Sequence, residues 1–117
     1  MSYTVTVRND SRYWDGYGLI HTWLVITDEN GEHKGFSYFR APDAGTNGVV
    51  DDSEKLWDRH YTESVTLEIS SQQYDVLSNS IDKFKKIPPD YNVIPNDKFY
   101  NCTVAADAIL KSAGINY

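Results

Sequence analysis

The sequence predicts an α+β fold in which helices pack on an antiparallel sheet. Strand-like segments with alternating apolar residues come first, at residues 3–8, 19–27, 32–40 and 64–69. Segments with helical periodicity follow, at residues 70–86 and 102–113. Because strands and helices are segregated along the chain, an antiparallel sheet with helices on it is expected.

Length and composition predict a single domain over residues 1–117. The apolar share of 40% and the aromatic share of 14% suffice for one modest core. The net charge of -6 argues against partners with a phosphate backbone and against anionic membrane surfaces. No apolar segment is long enough to cross a bilayer, so we expect neither nucleic-acid nor membrane binding. The first residues show no secretory leader, which predicts a cytoplasmic chain or export without a cleaved signal peptide.

The strongest strand and its partner form a predicted hairpin. Residues 19–27 read LIHTWLVIT, and residues 32–40 provide the returning strand. Between them lies Asn30-Gly31, the dipeptide typical of a tight turn whose residues take positive φ. A sheet built on this hairpin is therefore expected.

Two loops are candidates for lining a substrate cleft. The first, residues 11–18, carries Tyr13, Trp14 and Tyr17 together with glycines. We predict that its rings flank the cleft, and a packed aromatic turn is the alternative. The second, residues 41–61, reads as a long loop with a short helix near residues 53–59, and loops of that length often form lids or binding loops.

Both helices carry recognisable end signals. Ser70 and Gln73 form a capping box that predicts the start of the first helix. Asn101 is a suitable N-cap for the second helix, and Gly114 is placed to end it. The second helix has one apolar stripe, made of Cys102, Ala105, Ala106, Ile109, Leu110 and Ala113.

Cys102 is the candidate nucleophile. It lies in the first turn of a helix, where the positive end of the helix dipole lowers the pKa of a thiol. The alternative is that Cys102 is a small buried side chain with no catalytic role. A single cysteine excludes an internal disulfide, and no cluster has the spacing of metal ligands, so we expect no metal and no cofactor.

His21 is the candidate general base. It begins the strongest strand, and alternation places it on one face with Trp23 and Val25. We expect the Cys102 helix to cover that face, which would bring thiol and imidazole together. The hairpin puts His33 near the far end of the strand pair, and His60 is the fallback base.

The group that orients His21 is left open. The hairpin register brings Ser37 and Tyr38 near the imidazole, so both are candidates for the third position. The backbone N–H of Cys102 and the side chain of Asn101 are candidates for stabilising an oxyanion. Asp15 and Asp43, from the two loops, are further candidates for the third position.

The order of these motifs resembles the circularly permuted papain-like cysteine hydrolases of the NlpC-type superfamily. The resemblance spans about residues 19–115 and rests on His21-Thr-Trp, on the segment LEISSQQY at residues 67–74, and on Tyr-Asn-Cys102-Thr. In that permuted group the histidine strand precedes a late helix that opens with Asn-Cys. The resemblance implies Cys102 as nucleophile and His21 as base.

The resemblance also implies a substrate and a context. Its members include peptidoglycan amidases and peptidases, among them antibacterial effectors of type VI secretion, which act as toxins. This leads us to expect a peptide or peptidoglycan substrate and an immunity protein as partner. Two alternatives stay open: an acyltransferase or thioesterase like lecithin:retinol acyltransferase, and a binding or immunity module without catalysis.

Overall fold

A computed structural model describes residues 2–10, 21–40, 48–86, 90–91, 99–100 and 102–116. The first three strands are β1 (Tyr3–Asp10), β2 (His21–Thr27) and β3 (His33–Arg40). They are followed by β4 (Gly48–Asp51), a 3-10 helix (Glu54–Asp58), β5 (Glu63–Ile69) and α1 (Ser71–Lys86). The last elements are β6 (Asp90–Tyr91), β7 (Phe99–Tyr100) and α2 (Cys102–Ser112). The predicted roles of Asn101 and of the aromatic loop fall outside the described residues.

The main sheet has five antiparallel strands in the order β4-β3-β2-β1-β5. β2 is the central strand, and its neighbours are β1 and β3. The short strands β6 and β7 form a separate parallel pair. The α+β class and the antiparallel sheet predicted from the sequence are confirmed.

The hairpin between β2 and β3 forms at the predicted dipeptide. Gly31 has φ of 83°, a backbone conformation that glycine adopts without steric cost. The Asp28 carboxylate accepts hydrogen bonds from the backbone N–H groups of Asn30 at 2.8 Å and Glu32 at 3.0 Å. The turn therefore fixes a register in which Thr27 lies opposite His33.

The two α-helices pack on one face of the sheet and enclose the main core. From β2 this face receives Leu24 and Ile26, which alternate with residues of the other face. The buried members of this core are Val5, Val7, Leu24, Ile26, Phe36, Tyr38, Ile69, Leu77, Ile81, Ala105, Ala106, Ile109, Leu110 and Ile115. Apolar burial is the main term that holds the helices on the sheet.

A second, smaller core lies on the opposite face of the sheet under the 3-10 helix. Trp23 and Val25 of β2 pack there with Leu56, and Trp57 borders them. Gly35 of β3 makes this packing possible because Leu56 occupies the space that a Cβ atom would need. β2 is consequently covered on both of its faces.

The prediction of which face α2 covers is wrong. Trp23 and Val25 lie beneath the 3-10 helix, whereas Leu24 and Ile26 face the α-helices. Six of the seven residues of β2 are buried, so the strand shows no apolar and polar alternation from which its helical face could be identified. His21 shares the face of Trp23, not that of Leu24.

The predicted long loop over residues 41–61 is only partly a loop. A short helix was expected near residues 53–59, and the structure confirms it as the 3-10 helix. However, residues 48–51 form β4, which pairs with β3 at the edge of the sheet. Four residues are too few for a strand pattern to be recognised in the sequence.

The predicted signals at the helix ends are confirmed where the structure describes them. Ser70 Oγ accepts from the Gln73 N–H at 3.0 Å, and Gln73 Oε1 accepts from the Ser70 N–H at 3.0 Å. At the end of α2, Gly114 has φ of 71°, and the Ile115 N–H bonds the Leu110 carbonyl at 3.0 Å. These contacts satisfy terminal backbone groups that the helices leave open.

We predict that Gly35→Ala destabilises the fold by about 1–3 kcal/mol through overpacking. The new Cβ would lie 2.7 Å from the Ser53 carbonyl oxygen and would overlap Leu56. Urea denaturation measures the loss. In a double-mutant cycle, Leu56→Ala should cost less in the Gly35→Ala background than in the wild type. Wild-type stability of the Gly35→Ala variant would contradict this account of the second core.

A pH prediction follows from Tyr74, whose ring lies 5.0 Å from that of Tyr3. Burial, followed by the negative charge of Asp28, raises the pKa of Tyr74 above 10.0. The folded chain therefore holds this proton more tightly than the unfolded chain does, and stability should fall as pH rises through and above 10. Tyr74→Phe keeps the ring and should make this decline shallower in denaturation curves. An identical decline in both proteins would contradict the assignment.

Candidate active site

Cys102 is the first residue of α2, and its side chain is 3% exposed. It belongs to the helix face that packs on the sheet, together with Ala105 and Ala106. The buried stripe predicted for this helix is confirmed over these positions and Ile109 and Leu110. Cys102 thus combines a helix N-terminus with nearly complete burial.

A pair of hydroxyl groups ties the start of α2 to the start of β2. Thr22 Oγ1 and Thr103 Oγ1 are 3.1 Å apart, within hydrogen-bond distance. Thr103 Oγ1 also lies 4.0 Å from Cys102 Sγ. Since Thr22 follows His21 in β2 and Thr103 follows Cys102 in α2, this link brings the two candidate residues to one end of the sheet.

The imidazole of His21 is 1% exposed and is held by Ser37. His21 Nε2 and Ser37 Oγ are 2.7 Å apart, a short hydrogen bond in the sheet interior. The imidazole also stacks on Trp23, with 5.8 Å between the ring centroids and 24° between the planes. Ser37, a candidate from the hairpin register, therefore contacts His21. When Nε2–H donates to Ser37, Nδ1 is the basic nitrogen of the ring.

His21 and Cys102 approach the end of β2 from different sides of the sheet. Ser37 and Trp23 mark the face of the His21 ring, which is the face under the 3-10 helix. Cys102 belongs to α2, which packs on the opposite face. Thr22 lies between His21 and Trp23 in β2, and its side chain points to the α-helix side of the sheet. There its hydroxyl is within hydrogen-bond distance of the Thr103 hydroxyl of α2.

Tyr38, the other candidate from β3, takes part in the main core. Its side chain is fully buried, and its ring packs edge-on against Phe84 of α1 with 5.0 Å between centroids. Strand alternation puts Tyr38 on the α-helix side of the sheet, away from the His21 ring. The structure therefore brings Ser37, and not Tyr38, to the imidazole.

The other two histidines lie apart from this pair. His33 Nδ1 is 2.8 Å from Thr27 Oγ1, and the ring stacks on Trp57 at the opposite end of β2. The predicted separation of His33 from His21 is confirmed in the register. His60 is exposed and makes an ion-pair contact of 3.4 Å with Asp10.

Asp10 is a neighbour of His21 that the sequence did not reveal. The register of β1 and β2 places Asp10 directly opposite His21, and its carboxylate is 9% exposed. Such cross-strand partners have Cβ atoms about 4.5–5.5 Å apart. The sequence predicted a strand end before Asp10, so the pairing was missed.

An open groove of about 300 Å³ begins at Thr103 and runs across β1 and β5. Its lining mixes apolar and polar side chains: Val7, Asn9, Thr22, Glu63, Ser64, Val65 and Thr103. Glu63 is its charged member, and its carboxylate accepts from the Asn9 side chain at 3.3 Å. The groove is therefore partly polar. One of its lining residues, Thr103, directly follows Cys102 in the chain.

Two features are absent from the residues that the structure describes. Within these ranges, no group of three or more His, Cys, Asp and Glu residues is arranged to hold a metal ion. None of the helices in the described part of the chain is long and apolar enough to cross a membrane.

Comparisons with protein-family models, with curated proteins and with solved structures find no match to this chain. The papain-like interpretation accordingly rests on the motifs of the sequence and on the chemistry of the site.

The Thr22–Thr103 link predicts an unequal pair of variants. Thr103→Val leaves the hydroxyl of Thr22, a buried residue, without its bond and should cost about 1–3 kcal/mol. Thr22→Val leaves the exposed Thr103 hydroxyl to water and should cost less, roughly 0.5–1.5 kcal/mol. Denaturation of both variants and of the double variant measures the coupling. Additive losses would show that the two hydroxyls do not interact.

Proposed function

We propose that this chain is a cysteine hydrolase that cleaves amide bonds, with Cys102 as nucleophile and His21 as general base. The observation that carries the proposal is the link between α2 and β2. The hydroxyl pair of Thr22 and Thr103 holds the start of α2 beside the strand end at which Ser37 fixes the His21 imidazole.

The proposed reaction has two steps. His21 Nδ1 accepts the proton of the Cys102 thiol, and Sγ attacks the amide carbonyl carbon to form a tetrahedral oxyanion. The imidazolium then protonates the leaving amine, and a thioester bond between the acyl group and Sγ remains. Water attacks the thioester with His21 as base, which releases the acid and restores the thiol. The Cys102 backbone N–H, at the helix start, is available to the oxyanion.

Opposing effects act on the ionisation of the thiol. Burial favours the neutral thiol, whereas the N-terminus of α2 and a protonated His21 favour the thiolate. Asp10 lies opposite His21 in the register of β1 and β2, and its carboxylate is an ion-pair partner of His60. The proposal requires these favourable charges to outweigh burial, and it requires His21 Nδ1 to reach Sγ around the first residue of β2.

The lining of the groove at Thr103 is mixed, and its polar side chains Asn9, Thr22 and Ser64 are already hydrogen-bonded within the fold. The choice of an amidase or peptidase over the acyltransferase alternative therefore rests on the resemblance and on the net charge of -6. Peptidoglycan peptides are the substrate class that the resemblance implies, and with them a role as an antibacterial effector and an immunity protein as partner.

A binding or immunity module is the second candidate function. The near-complete burial of Cys102 and the position of the His21 ring on the other face of the sheet favour it. In that case Cys102 serves only as a small packed side chain of α2. The two functions differ in whether the thiol reacts.

For the direct test, purified peptidoglycan and a synthetic stem peptide are incubated with the protein. Mass spectrometry then detects the new peptide termini that cleavage produces. Cys102→Ala and His21→Ala should each lower the rate at least about 100-fold, because each removes a reacting group. Ser37→Ala, which frees the imidazole, should cost about 10-fold. Circular dichroism checks that each variant folds.

Ser112→Ala, at the far end of α2, is the matched control and should retain wild-type turnover. Turnover by Cys102→Ala equal to that of the wild type would refute the nucleophile. A wild-type protein that cleaves neither substrate and whose thiol resists alkylation in the native state would favour the binding module.

A further inference from the structure

The two edges of the main sheet differ in how they are protected. β4, at one edge, has four residues, and Lys85 of α1 bonds Asp52 immediately after it. β5, at the other edge, has seven residues in regular register with β1 and, in the described part of the chain, no other strand partner. A long open edge offers unpaired backbone N–H and C=O groups to another strand.

β5 has few of the usual devices that prevent edge pairing, with a glutamate near each end as its charged side chains. Its sequence, ESVTLEI, contains no lysine, proline or glycine. The side chains of residues 63–66 are exposed, and Val65 has 45% of its surface exposed. The central residues Val65, Thr66 and Leu67 are uncharged and favour strand structure. This edge is thus suited to accept a further strand.

We propose that β5 pairs with β5 of a second copy of this chain, antiparallel about Thr66, to give a ten-stranded sheet across a twofold axis. In this register Thr66 lies opposite Thr66 of the partner subunit. Val65 then lies opposite Leu67 of the partner subunit, and Ser64 opposite Glu68 of the partner subunit. Glu63 lies opposite Ile69 of the partner subunit.

The charge pattern of β5 fits this self-pairing. Each glutamate lies opposite an uncharged residue, so no like charges face one another across the new ladder. Glu63 and Glu68 also lie on different faces of the sheet, because their positions in the strand differ in parity. The self-pairing therefore adds no directly opposed pair of like charges, although each copy carries a net charge of -6.

The apolar pattern favours a second copy over an unrelated peptide. Val65 and Leu67 both face the α-helix side of the sheet, opposite Val7 and Val5 of β1. Twofold symmetry produces the Val65–Leu67 contact twice and buries the exposed Val65 side chain in each copy. An isologous interface needs this self-complementarity, and a peptide partner would have to supply it from its own sequence.

Sedimentation velocity across a concentration series tests the dimer. The wild type should shift from monomer to dimer as its concentration rises. Val65→Lys places a charge at the centre of the pairing and should weaken the dimer at least about 10-fold. Val76→Lys is the matched control, because Val76 is an equally apolar residue with 39% exposure on α1, away from β5. This variant should dimerise like the wild type.

Crosslinking tests the register. In a Cys102→Ser background, Thr66→Cys should form an intermolecular disulfide, because Cβ atoms of directly opposed residues are about 4.5–5.5 Å apart. Ser64→Cys, on the same face of β5, should not, because its two copies would lie about 13 Å apart along the strands. Non-reducing electrophoresis distinguishes the two.

Three outcomes would overturn the proposal. The first is a wild type that stays monomeric at about 100 μM, a concentration at which a dimer with a Kd of about 1 μM would be almost fully formed. The second is a dimer that Val65→Lys and Val76→Lys weaken equally. The third is a disulfide that forms at Ser64→Cys in preference to Thr66→Cys. The tests use no substrate, so their outcome can be separated from the proposed hydrolase activity, although the dimer would cover the β5 end of the groove at Glu63, Ser64 and Val65.

Discussion

β2 is buried on both faces, and the rest of the structure is arranged around that constraint. Leu24 and Ile26 require the α-helices on one side, and Trp23 and Val25 require the 3-10 helix on the other. Burying a side chain of this size contributes about 1.5–3 kcal/mol. A five-stranded sheet with β2 at its centre satisfies both requirements, since it places two covering layers on one strand.

The same constraint determines what the candidate site can do. At the first residues of β2, neighbouring side chains point in opposite directions, so Thr22 bonds α2 while His21 bonds Ser37 beneath the other layer. Cys102 and His21 consequently belong to opposite faces at the same end of β2, and they do not face each other across an open cleft. A hydrolase built this way keeps its base rigid and buried, and it admits substrate from the groove that begins at Thr103.

Local signals in the sequence predicted much of the fold. The Asn30-Gly31 turn, the Ser70 and Gln73 capping box and the Gly114 helix end depend on a few adjacent residues, and each is confirmed. In the site, the register of a short hairpin sufficed to bring Ser37 near His21. These features are determined by turn and cap chemistry, which acts over short stretches of chain.

Two features of the site depend on pairing between distant segments and were not predictable in the same way. The helical face of β2 could not be read from a strand that is apolar on both sides, so His21 was assigned to the face of α2. Asp10 lies opposite His21 only because β1 continues to residue 10 and pairs with β2. Antiparallel pairing of β1 with β2, continued to residue 10, was the feature that would have placed Asp10 opposite His21.

The proposed mechanism requires Cys102 to be a thiolate beside a basic imidazole, and the pH dependence of Cys102 alkylation measures this most directly. In native protein treated with iodoacetamide, the rate should reach half its maximum at a pH well below 8.5, the ordinary pKa of a cysteine thiol. His21→Ala should move that midpoint to higher pH. A midpoint at or above 8.5 that His21→Ala leaves unchanged would contradict the proposed pair and identify Cys102 as a packed side chain.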